Sequence, residues 1–243
     1  SQTYNGNTTL TANTTLTTTN SDVTFGGTLN GNAAGKTLTI AAGTGSATFT
    51  GAVGGSAVLG ATAITASTTT NSSTWVGNST LGITGNTVIN GAISGITSIS
   101  VSGTTSLGAN VTTTGASGQT YTGAVTLSTG NIALSGTSAT FNSTVAGGAN
   151  ALAITGNAVF NGSLTNVTNL SVSGATTINA ASIATTGSQS YTGAVTVSTP
   201  ATITANTLTT SSTLAASANN LTLSVDVITL GGNLSGTGAL AII

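Results

Sequence analysis

Apolar and polar residues alternate along much of this chain with a period of two. In KTLTI, Leu38 and Ile40 alternate with Thr37 and Thr39, and in SISVSG, Ile99 and Val101 alternate with serines. Val125 and Leu127, Val195 and Val197, and Leu221, Leu223 and Val225 repeat the arrangement. Successive side chains of a strand point to opposite faces, so alternation built from β-branched residues predicts half-buried strands. The runs last about 4–6 residues, a usual strand length. They end at small or polar clusters such as Ala146-Gly147-Gly148-Ala149-Asn150. Helix is disfavoured: Glu, Arg and Met are absent, while Thr, Gly and Asn, all poorer helix formers than Ala, abound.

A longer pattern organises these runs. The segment Leu81–Thr129 recurs as Leu152–Thr199: LGITGNTVINGAISGITSISVSG is matched by LAITGNAVFNGSLTNVTNLSVSG, and GQTYTGAVTLST by SQSYTGAVTVST. A partial third copy, SQTYNG, opens the sequence at Ser1–Gly6. Within the long unit a shorter motif recurs: an aromatic residue or Ile, two small residues, then a spaced aliphatic. Its copies begin at Tyr4, Phe25, Phe49, Ile89, Tyr121, Phe141, Phe160 and Tyr191, at spacings of 21, 24, 40, 32, 20, 19 and 31 residues. Four of the seven spacings point to a unit near 20 residues, 40 reads as a doubled step, and 31 and 32 fit no whole number of units.

Short strands repeating at this interval admit an antiparallel sandwich or barrel, or a parallel β-helix in which each unit is one coil stacked on the next. A fixed repeat favours the second: an all-β parallel β-helix (β-solenoid) of about 20 residues per coil, read as a single repeat domain over residues 1–243. About twelve coils at the ~4.8 Å interstrand spacing fill the chain. Val, Ile, Leu and Ala then stack inside, Thr suits the outer strand positions, and Gly and Asn turn the corners. With no initiator Met and a start in mid-pattern, the sequence reads as a processed product or an excised segment of a longer repeat protein or fibre.

Charge sharpens the picture by its absence. Of 243 residues only Asp22, Lys36 and Asp226 carry a formal charge, and His and Cys are absent. Ordinary domains are about 25 % charged. Nucleic-acid binding needs Lys and Arg to neutralise phosphate. Metal and haem sites lack their ligands, and two Asp residues far apart make no calcium loop. General acid–base catalysis lacks its usual donors. No catalytic, cofactor-binding or metal-binding residue is therefore assigned, no cofactor is expected, and the chain reads as not an enzyme. Disorder fits poorly too, because it pairs low hydrophobicity with high net charge, whereas the net charge is −1 and mean hydropathy is +0.38. No apolar run reaches the roughly 18 residues of a membrane helix, so no membrane insertion is expected. A thiol-free, charge-poor chain suits a protein that crosses a membrane unfolded and survives outside.

The segments TTGSQSYTGAVTVS, GQTYTGAVTLS and VTFGGTLNG resemble the β-strand repeats of filamentous-haemagglutinin-like exoproteins, bacterial surface adhesins exported by two-partner secretion or as autotransporters. The resemblance covers most of the chain through its superrepeats. It implies a right-handed parallel β-helix and an extracellular or cell-surface fibre, with host or matrix glycans as possible partners.

Other candidate chemistry weakens on inspection. GNAAGKT at Gly31–Thr37 is one spacer short of a phosphate loop and precedes no helix, so Lys36 reads as a solvated corner. No His exists to activate a Ser nucleophile. The recurring Tyr and Phe read as packing markers rather than sugar platforms, and Trp75 as a local packing variant rather than an exposed binding aromatic. Sequons such as those at Asn71 and Asn78 follow from composition. Thr-x-Thr pairs (Thr37/Thr39, Thr202/Thr204, Thr207/Thr209) raise a flat glycan- or ice-binding face, but do not recur at one coil position. The leading expectation is a structural fibre or adhesin-stalk segment mediating surface attachment. Its first partner is itself, end to end or laterally.

Overall fold

The computed structural model describes residues 1–243. The chain is a β-solenoid of about 12 turns, roughly 20 residues each, with strands and no helix. Coils stack through parallel pairing, as in Tyr4 on Phe25 or Leu152 on Leu170. The antiparallel sandwich is thereby excluded. Two compact units divide the chain, Ser1–Gly123 and Ala124–Ile243.

In the first unit the interior is built from three ladders of inward side chains, one per strand of the coil. One runs Tyr4, Phe25, Phe49, Asn71, Ile89, Leu107. A second runs Leu16, Ile40, Ile64, Ile83, Val101, Tyr121. The third runs Thr8, Leu29, Val53, Trp75, Ile93, Val111. In the second unit the corresponding columns are Leu134, Ile154, Val172, Tyr191, Thr210, Leu230, then Phe141, Phe160, Ile178, Val197, and Val125, Val145, Leu164, Ile183, Ile203, Leu223, Ile242. Away from the first and last coils these side chains are almost wholly enclosed. Full burial of one such aliphatic or aromatic group favours the fold by about 1.5–3 kcal/mol.

The ladders explain the irregular motif spacings. The doubled step from Phe49 to Ile89 is two coils with Asn71 standing between them. The step of 32 is a change of ladder: Ile89 stands in the first column and Tyr121 in the second. The step of 31 has the same cause, since Phe160 and Tyr191 occupy different columns. Strands are also longer than the alternation predicts. Leu59–Asn71 and Val145–Phe160 pass through a corner and pair on both sides of it, with register shifts at the bend.

Corners are held by side chains that replace ladder hydrogen bonds. Where the chain bends, the next coil's backbone N–H donates to an Asn or Asp carbonyl oxygen of the coil before. Thr28 donates to Asn7 Oδ1 at 3.1 Å, Ser46 to Asp22 Oδ1 at 2.7 Å, Thr104 to Asn86 Oδ1 at 3.0 Å and Ala175 to Asn157 Oδ1 at 2.9 Å. This is the accounting that buried or bent backbone demands. Glycines stack at the same corners because the coils approach too closely for a side chain. A Cβ on Gly103 would lie 2.5 Å from the Gly85 carbonyl carbon, and one on Gly174 would lie 2.5 Å from that of Gly156.

Candidate functional site

The structure places the motif aromatics inside. Phe25, Phe49, Phe141, Phe160, Tyr121 and Tyr191 are all buried. Tyr4, Phe25 and Phe49 stack face to face, with ring centroids 4.9 and 5.4 Å apart, as do Phe141 and Phe160 at 5.4 Å. Offset stacking of this kind adds about 0.5–1.5 kcal/mol per pair beyond burial. Trp75 is only 2 % exposed and meets Phe49 edge-on at 4.9 Å. None of these enclosed rings offers a face to a sugar. The sequon residue Asn71 is buried as well, whereas Asn78 is exposed.

Lys36 differs from its expected place. It opens the strand Lys36–Ala41 and is half-buried, not a solvated corner. Gly31 makes room for its aliphatic stem, since a Cβ there would stand 3.2 Å from Lys36 Cγ. Asp22 is tied to the Ser46 backbone, and Asp226 is exposed on the strand Leu221–Leu230. A cavity of about 100 Å³ lined by Ala216, Leu221, Leu234, Gly236 and Leu240, among others, has no titratable lining group.

The polar interior is what the sequence reading missed. Gln119 and Gln189 are buried at 1 % and 0 % exposure. Each accepts the phenol of the tyrosine two residues on, Tyr121 and Tyr191, at 2.8 Å. Each also donates across the coil, Gln119 to the Val111 carbonyl and Gln189 to that of Ile183, both at 3.0 Å. Burial pushes both phenols well above their ordinary ionisation range. The signal was present: Gln-x-Tyr recurs in GQTYTG, SQSYTG and SQTYNG. In a strand, residues i and i+2 share a face, so Gln had to point inward with Tyr. The third copy makes a looser version at the first coil, with Tyr4 Oη 3.5 Å from Gln2 Oε1. A second interior polar feature lies in the first unit, where Thr69, Thr87 and Thr105 stack on successive coils with hydroxyls that have no partner.

On the outside, Thr3, Thr24, Thr48 and Thr70 form one column. A single-residue hydroxyl column therefore does recur at one coil position. The Thr-x-Thr pairs behave otherwise. Thr202/Thr204 stack on Thr222/Ser224, while Thr207/Thr209 lie in a different column, over Ser188/Ser190. In the second unit Asn142, Asn161 and Asn179 form an amide ladder, with Nδ2 of each later residue donating to Oδ1 of the one before, at 2.8 and 2.6 Å.

The remaining feature is unpaired backbone. The strands Gln2–Tyr4, Thr8–Leu10 and Thr14–Thr17 each pair on one side only. Ile228–Leu230, Leu234–Ser235 and Leu240–Ile242 do the same. Beside the second set, Val227, Leu230, Leu240, Ile242 and Ile243 are exposed large apolar side chains. No protein-family model, curated protein or solved structure matches the chain.

Proposed function

We propose that this chain is a structural segment of an extracellular fibre or adhesin stalk at a bacterial surface, acting by self-association and surface attachment. The observation that carries the reading is a solenoid of parallel-stacked coils whose surface is almost free of charge, three formal charges in 243 residues. A near-neutral surface lacks colloidal repulsion, which favours lateral bundling of such columns. The resemblance of GQTYTGAVTLS and SQSYTGAVTVS to filamentous-haemagglutinin-like repeats supports the extracellular setting and makes matrix glycans a candidate attachment partner. Negative-stain microscopy and sedimentation of the purified chain at rising concentration test it. Fibrils or bundles are expected; a monodisperse monomer at every concentration would rule the reading out. Protease shaving of intact source cells, with loss of the intact chain, tests the location.

A further inference from the structure

We propose that the wall of the first unit formed by residues 67–74 is a built-in seam, which opens locally while the other two walls of the same coils stay paired. The inference does not depend on self-association.

Ser67-Thr68-Thr69-Thr70-Asn71-Ser72-Ser73-Thr74 is a run of eight residues without an apolar side chain. It nevertheless supplies one wall of a coil. Thr69, Thr70 and Asn71 lie between Ala47, Thr48 and Phe49 of the coil before and Thr87, Val88 and Ile89 of the coil after. Thr69 and Asn71 point inward, at 1 % and 2 % exposure. The coil before fills the same two places with Ala47 and Phe49, and the coil before that with Val23 and Phe25. The stacking of Tyr4, Phe25 and Phe49 therefore ends against an amide.

A polar wall is not weak if each of its groups is paired, but here several are not. The hydroxyls of Thr69, Thr87 and Thr105, stacked on successive coils, are sealed from solvent without a hydrogen-bond partner, and so is Asn71 Oδ1. Such a group has given up its hydration and gained no bond in exchange. Opening the wall returns Thr69 and Asn71 to water on their own strand and unseals Thr87 beside them. The second column of the same coils is built differently. Its inward pairs are Thr62 with Ile64, Leu81 with Ile83, and Ile99 with Val101. Its one hydroxyl, on Thr62, donates to the Gly60 carbonyl at 3.3 Å. The third column carries Val53, Trp75 and Ile93. Both of these walls have apolar burial to lose and no sealed hydroxyl to hydrate.

One cost opposes the opening. A displaced strand uncovers the flanks of Phe49 and Ile89, which are wholly buried. That cost keeps the open form a minority and closes it again. Proteins open locally where few apolar contacts hold a segment. In a stack whose inner strands are each held from both sides, this wall lets the column yield at one strand before it unravels.

Native-state hydrogen exchange reads the seam. The Ser72 and Asn90 amides bond across it, to the Phe49 carbonyl at 2.9 Å and the Asn71 carbonyl at 2.8 Å. The Ser102 and Thr122 amides bond across the second column in the same way, to the Ile83 carbonyl at 3.0 Å and the Val101 carbonyl at 2.9 Å. All four residues are exposed. After correction for intrinsic rates, Ser72 and Asn90 are expected to exchange at least about tenfold faster than Ser102 and Thr122, with little response to low denaturant. The isosteric double variant Thr69→Val/Thr87→Val removes two sealed hydroxyls and should close most of that gap. Thr70→Val, on the outer face of the same strand, should leave it as it was. Equal protection of the four amides in the parent chain overturns the seam. So does a gap that the double variant leaves unchanged, or one that Thr70→Val closes as far.

Discussion

The two superrepeat copies, Leu81–Thr129 and Leu152–Thr199, share a skeleton and differ in filling. In both, the backbone N–H of the Gly in ITGN donates to the serine of VSG: Gly85 to Ser102 Oγ and Gly156 to Ser173 Oγ, each at 3.0 Å. In both, the following Asn holds the next coil's backbone, and the Gln–Tyr pair closes the interior at the same 2.8 Å. The stacked interior differs. Ile89 of the first copy lies between Asn71 and Leu107, whereas its counterpart Phe160 lies between Phe141 and Ile178. Corner contacts set the register of the coils, and the ladders accept different side chains of fitting volume once that register is set.

The largest expected effect separates the fillings. Phe160→Ala removes a wholly buried ring and its stacking on Phe141, and should cost about 3–5 kcal/mol. Ile89→Val trims one methylene, and should cost about 0.5–1.5 kcal/mol. Denaturant midpoints with unchanged slopes measure both. Equal losses would mean that the two copies do not differ in their interior as described.

Next come the Gln–Tyr pairs, where the copies should agree with each other and differ from the third pair. Gln119→Ala and Gln189→Ala each remove the carbonyl to which a buried phenol donates, at a cost of about 1–3 kcal/mol. Gln2→Ala should cost less than about 0.5 kcal/mol, because its strand is half-exposed and its bond to Tyr4 is long. A large loss at Gln2 in the isolated monomer would contradict the looser geometry of the first coil.

Alkali probes the same pairs from the other side. Burial raises the phenol ionisation of Tyr121 and Tyr191 in the folded chain, while an unfolded tyrosine ionises near pH ~10. Above that pH the unfolded state has lost protons that the folded state keeps, so stability falls as pH rises and is fully present below it. Each tyrosine contributes a slope of about 1.4 kcal/mol per pH unit. Tyr121→Phe and Tyr191→Phe should each remove one such slope from chemical unfolding between about pH 10 and pH 12. Unequal removal would show that the pairs are not equivalent.

Much of this was legible in the sequence, and the boundary is physical. Period-two alternation in KTLTI and SISVSG reports inward and outward faces directly, and the copies of GQTYTG report the coil. The motif spacings of 31 and 32 residues could not be read, because a linear repeat does not say which of three strands in a coil carries the aromatic. Tyr121 and Ile89 look like successive beads on one string and stand in different columns. The interior Gln and Thr were also hidden: composition marks them polar, and only the face of the strand they occupy marks them buried.

The smallest effect concerns Asn71, the residue that interrupts the aromatic ladder between Phe49 and Ile89. Its Nδ2 donates to the Gly91 carbonyl at 2.9 Å, but its buried Oδ1 has no partner. An orphaned acceptor costs about 1–3 kcal/mol and a made hydrogen bond returns about 0.5–1.5 kcal/mol, so Asn at this position does not stabilise the stack on balance. Asn71→Leu keeps the volume close, removes the orphan and gives up the bond to Gly91. The expected result is a gain of less than about 1 kcal/mol, read as a small rise in denaturant midpoint. A loss above that size would mean that the bond to Gly91 holds the corner against the coil after it. The amide would then belong with Asn86 and Asn157 as part of the register skeleton, and the division between corner and filling would need redrawing at this coil.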